Sequence, residues 1–220
     1  MNPPKPNLAQ DLVRIHKVIT RAIEVCQGRG AEYLKSGLPD PVELAGYGSY
    51  THCLMTVLGA HHTSEDQITF PEIRKVLPSG PYARLAAEHH GIAQLLSWLP
   101  ARILDLSIDP INAISGIHST LQKVSNLWPP HYQLEEKVFN EQAINSLLSP
   151  EDQIRISQAA SRHSQEHSEP AYWVVPFILF NLESDDRMTM ASFFPPEIMG
   201  ELVPVVWKEH WEPMKPLLLV

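Results

Sequence analysis

The chain has 220 residues, 17 Lys and Arg against 25 Asp and Glu, a net charge of −8, and is 44% hydrophobic and 19% charged. That balance belongs to a globular protein long enough to bury a core without disulfides, and it excludes a disordered chain and a basic nucleic-acid footprint. Histidine is the outlier, with eleven in the chain and several beside carboxylates.

Periodicity predicts an all-α protein, since no run shows sustained period-two alternation rich in β-branched residues. The opening, MNPPKPNLAQDL, has no basic segment followed by an apolar core and does not read as a signal peptide. A first helix is predicted from about Leu8 to Cys26, stopping near Gly28 and Gly30. A second follows Pro39-Asp40-Pro41 and runs, with a bend at Gly46 and Gly48, to Phe70-Pro71. A third spans about Pro81 to Leu104, and a fourth starts after Asp109-Pro110. Trp128-Pro129-Pro130 predicts an interruption, with a fresh segment from His131 to about Leu148. Ser149-Pro150-Glu151-Asp152 has the serine cap, first-turn proline and acids of a helix start.

Residues 168–220 turn rich in proline and aromatics, so 150–220 reads as an extension packed on a domain of residues 1–149. Trp207 and Trp211, four apart, are its expected anchors. The longest apolar run, WVVPFILF at 173–180, is too short for a bilayer, so no membrane partner is expected. Cys26 and Cys53 sit in apolar stretches and read as buried free thiols, which makes a cytoplasmic location the default.

The inward stripes carry the chemistry. Leu12, His16, Ile19, Ile23 and Cys26 share one helical face, as do Leu54, Leu58, His61, Glu65 and Ile68. Leu85, His89, Ile92, Leu96 and Leu99 form a third stripe, and His131 and Glu135 stand four apart ahead of Val138. Each face brings a histidine inward and two add a glutamate one turn later. A buried carboxylate without a partner is costly, so six such groups suit a dinuclear metal site. Imidazole with carboxylate and no thiolate favours iron or manganese over structural zinc. His62 and His90 fall off register and are expected beside the ligands or on the surface. His163 and His167 read as a solvated pair, and His52, His118 and His210 as isolated.

With those faces assigned, HHTSEDQITFP resembles the pattern of the hemerythrin-like (HHE cation-binding) family, in which His-x3-Glu is followed by Phe-Pro. LVRIHKVITRAI, EHHGIAQLL and HYQLEEKVF are similar to its first-, third- and fourth-helix motifs, and the match covers about residues 8–148. With its Trp- and Pro-rich tail the chain is most similar to fungal-type members. The resemblance implies an up-and-down four-helix bundle, with additional C-terminal helices here, around two Fe ions. It implies His16, His61, Glu65, His89, His131 and Glu135 as ligands, the two glutamates bridging. It implies dioxygen or peroxide as the small partner, with three readings: an oxidant-binding protein, an oxygenase or oxidase acting on a small organic substrate, and an iron or oxygen sensor. His62 or His90 would then stand near a bound oxidant. Two departures matter. Oxygen-carrying relatives have a further histidine one turn after the third-helix ligand, where this chain has Ala93, so an additional open metal position is expected. Trp128-Pro129-Pro130 puts the start of the fourth helix in question.

Overall fold

The computed structural model describes residues 7–220, and among these it is all-helical with no strand. Helix α1 (Leu8–Ser36) starts where the Asn7 side chain accepts from the Gln10 amide. It runs ten residues past Cys26, because Tyr33 is still buried and donates its hydroxyl to Glu43 at 2.8 Å. It ends at Gly37, whose φ of +103° only glycine adopts without strain.

Helix α2 (Pro41–Ser64) is capped by Asp40, and a π turn (Glu65–Thr69) leads into α3 (Phe70–Arg74). The expected third helix is two: α4 (Tyr82–Leu96) and α5 (Leu99–Asp105), with Pro100 in the first turn of the second. The fourth departs the other way. Helix α6 (Pro110–Val138) passes through Pro129 and Pro130 without a break. The prolines remove the amides that would bond the carbonyls of Ser125 and Asn126. Those residues are half-buried and exposed, so water can replace the lost bonds.

The remainder comprises α7 (Glu141–Leu147), α8 (Pro150–His167), α9 (Ala171–Phe180), α10 (Ser184–Ala191), a π segment (Ile198–Val206), α11 (Lys208–Trp211) and a 3-10 turn (Glu212–Leu217). Helix α6 packs on α1 and α4, and α2 packs on both of these as well. No helix among the described residues is long and apolar enough to cross a membrane.

Two apolar clusters fill the interior. The larger joins Ile19, Leu54, Leu58, Ile92 and Trp128 to Phe177, Trp211, Met214 and Leu217, so the tail shares the core of the helices before it. The smaller gathers Leu8, Phe70, Leu85, Phe139 and Ile144. Arg21 pins the tail further, donating to Tyr50 Oη at 3.2 Å, the Leu217 carbonyl at 2.9 Å and the Asn181 side chain. Trp211 is buried and donates to the Val203 carbonyl, while Trp207 is half-buried.

Gly46 is where the tail meets α2. A Cβ there would lie 1.8 Å from the Pro213 carbonyl oxygen, whereas one on Gly59 of the same helix meets nothing within 4 Å. Gly46→Ala is expected to cost about 1–3 kcal/mol or more by forcing the 3-10 turn off the helix. Gly59→Ala is expected to stabilise by up to about 1 kcal/mol, as alanine replaces glycine inside a helix. Urea unfolding of the two variants measures both.

Candidate metal centre

Along α1, α4 and α6 the stripe reads apolar, donor, apolar. On α1, Leu8 belongs to the small cluster, His16 comes next, and Ile19 belongs to the large one. On α4 the series is Leu85, His89, Ile92, and on α6 it is Trp128, His131, Glu135, Phe139. The donors therefore form one polar layer between two hydrophobic ones.

All six predicted ligands meet in that layer, and His62 joins them. None of the seven is more than 6% exposed. They fall into two sets of converging ligand atoms: His62, His89 and His131 in one, and His16, His61, Glu65 and Glu135 in the other, each set within 4.8 Å. The carboxylates stand between the sets. Glu135 Oε2 is 3.2 Å from His16 Nε2, and its Oε1 is 3.4 and 3.3 Å from His89 and His131 Nε2. Glu65 Oε2 is 3.5 Å from Nε2 of both His61 and His89. Yet the five Nε2 atoms, Glu65 Oε2 and both Glu135 oxygens are buried without a hydrogen-bond partner. These atoms converge in two groups, each of which could hold a metal ion. Left alone, two such carboxylates carry a heavy desolvation cost.

His62 is the correction to the expected register. At 100° per residue, Glu65 lies about 40° from His61 and about 60° from His62, so a stripe centred on Glu65 takes in both. The His62 ring stacks on His89 with centroids 4.0 Å apart and planes 15° apart. His90, the other off-register histidine, is exposed and contacts Gln94 on the outer face of α4. Ile68, expected on the inward stripe, is only half-buried. The π turn passes its place to Phe70, whose amide donates to the Glu65 carbonyl five residues back and whose ring stacks beside His89 at 5.7 Å.

Three carboxylates missed in the sequence hold the rings. His16 Nδ1 donates to Glu136 at 2.9 Å, His89 Nδ1 to Asp66 at 3.0 Å, and His131 Nδ1 to Glu88 at 3.0 Å. With the proton on Nδ1, each Nε2 lone pair points inward, the tautomer a metal needs. The signal was present: each of these acids is the immediate chain neighbour of a candidate ligand. Trp128 closes the layer on the other side, its ring 5.3 Å from His16 and 5.8 Å from His131, with its indole N–H on Thr20 Oγ1.

The electrostatics suit cation binding. Burial holds His61 and His62 well below the usual imidazole range and lowers His131 against the pull of Glu135 and Glu88, so these rings are neutral donors. Burial opposes charge on His16, but Glu135 and Glu136 outweigh it and raise its pKa. Burial and the nearby Glu135 push Glu65 well above the carboxylate range. Glu135 is also buried, but the His16 and His89 imidazoles pull it far down. Cations between the two acids would remove the penalty on ionising both. The free Cys26 thiol is pushed up to about 12 by burial and offers no competing thiolate.

No family model, no curated protein and no solved structure matches the chain.

His62→Ala is expected to lower metal affinity sharply while His90→Ala leaves it unchanged. Glu88→Gln, which removes only a ring-orienting carboxylate, is expected to weaken affinity roughly 10–100-fold with the helix content intact. Titration of metal into chelated protein, with circular dichroism as the folding control, measures all three.

Proposed function

We propose that the chain is a hemerythrin-like four-helix bundle that holds two iron ions and binds dioxygen or peroxide there. The observation that carries this is the set of eight buried, unpartnered donor atoms converging in one layer. The bundle reading is supported by the alternation of apolar clusters. From N to C terminus, α1 and α4 run from the small cluster to the large one, while α2 with its continuation and α6 run the opposite way.

His62, His89 and His131 would hold one ion and His16 and His61 the other, with Glu65 and Glu135 shared. His62 would supply the imidazole that Ala93 does not, and the open position expected from that departure would then be taken up. The His16 and His61 set still has one imidazole fewer, which leaves that ion more room for an external ligand. When bound, the ion pair supplies reversible electron transfer to an oxygen ligand. The protein's own part is to fix five imidazoles with their Nε2 atoms turned inward, hold two carboxylates where the ions would favour their ionised form, and exclude water with Trp128 and Phe70. Manganese fits the same donor types.

A second reading, an oxygenase or oxidase acting on an organic molecule, is favoured by a cavity that touches His61 and Glu65. The buried free cysteines support a cytoplasmic setting.

Protein expressed with ample iron is expected to carry about two iron ions per chain, and Glu65→Ala or His131→Ala to carry almost none. Fewer than about one ion per wild-type chain sinks the proposal. Admitting air to the reduced protein then separates the readings: a stable, reversible coloured adduct supports binding alone, and rapid decay to the ferric form supports oxidase or oxygenase chemistry.

A further inference from the structure

A half-open cavity of about 710 Å³ lies between the first two helices and the C-terminal third of the chain. That volume is within the range of sites that hold drug-sized organic molecules. Along α2, the π turn and α3 its wall extends from Val57 to Ile73, about 24 Å at 1.5 Å per residue. His61 and Glu65 sit midway along that wall. They belong to the donor set with one imidazole fewer, so the cavity meets the centre at its more open side.

The facing surfaces differ in character. Val174, Ile178, Phe194, Ile198 and Trp207 from the tail are apolar. Helix α8 contributes a polar edge with Ser161, Ser164, Gln165 and Arg162. Arg162 is the one arginine or lysine lining the cavity. Its neighbour on the helix, Arg155, is held by Glu72 and Asp152, and Arg14 by Asp11 and Asp186, but no carboxylate pairs with Arg162 among the described residues. Helix α8 runs antiparallel to α2 and its continuation through α3, since Arg155 meets Glu72 and His163 meets Thr63. Arg162 therefore stands level with His61 and Glu65, and it is exposed to solvent. An anion seated on it would leave an attached apolar body to lie along the wall past the centre.

We propose that this cavity binds a monocarboxylic acid with a long apolar body, its carboxylate on Arg162 and its chain against the tail, and that such acids are the class of organic substrate presented to the centre. The substrate part rests on the reading of the centre as an oxidant-binding di-iron site; the binding part does not. The tail then has a purpose: it builds the side of the cavity that the first four long helices lack.

Isothermal titration calorimetry of the iron-loaded full chain with dodecanoate, dodecan-1-ol and acetate tests this. Dodecanoate is expected to bind one per chain, dodecan-1-ol about fivefold more weakly, and acetate not measurably. Arg162→Gln is expected to erase the difference between acid and alcohol with iron content unchanged. Ala160→Trp, or Ser164→Phe should the first misfold, is expected to abolish binding of both by filling the cavity. Dodecanoate is also expected to shift the visible absorption of the ferric centre. Equal affinity for acid and alcohol, binding that survives both filling variants, or no binding to loaded protein overturns the proposal. Protein that binds dodecanoate through Arg162 yet retains no iron upholds the cavity assignment and removes the reading of the centre instead.

Discussion

Two carboxylates buried side by side set the terms for this molecule. Glu65 and Glu135 are almost fully removed from water, and neither finds a hydrogen-bond donor for the oxygens it turns inward. Burying one ionised acid without compensation costs several kcal/mol, and a second nearby adds repulsion. An apolar layer in their place would stabilise the fold more. That the chain keeps them, ringed by five imidazoles with free Nε2 atoms, is what the proposed metal binding would account for.

The surrounding structure follows from holding that layer rigid. Apolar clusters above and below fix the four helices in register, so each donor arrives at the same level. Glu88, Asp66 and Glu136 lie outside the layer, partly or fully exposed, and each fixes one ring through Nδ1. The π turn after Glu65 has a comparable effect. It moves the inward position from Ile68 to Phe70 and so places an aromatic ring, rather than an aliphatic chain, beside His89.

The C-terminal third is part of the same body. Its apolar residues enter the large cluster, Arg21 reaches across to its backbone, and Gly46 lets the 3-10 turn come within backbone contact of α2. What it does not fill is as informative as what it does. Between α8, α9 and the first two helices it leaves an apolar space whose inner wall is the edge of the donor layer.

The helical class, the inward placing of six histidine and glutamate side chains and the cap at Ser149 were legible from residue order, because a 3.6-residue period and local capping chemistry act within a few turns of chain. His62 was misread because a stripe drawn through Leu54, Leu58 and His61 takes its axis from the apolar residues. The true axis passes nearer Glu65 and depends on where α4 stands. The carboxylates on Nδ1 were missed for a related reason: each stands beside an inward donor in the chain, but it reaches a ring on another helix, a pairing no single-helix pattern encodes. Pro129 and Pro130 looked like a break, and whether they are one depends on which carbonyls they free and whether water reaches them. Local sequence thus settles what a helix offers and on which face. Its neighbours settle which offers meet, since burial, ring orientation and the cavity beside the donors exist only between elements.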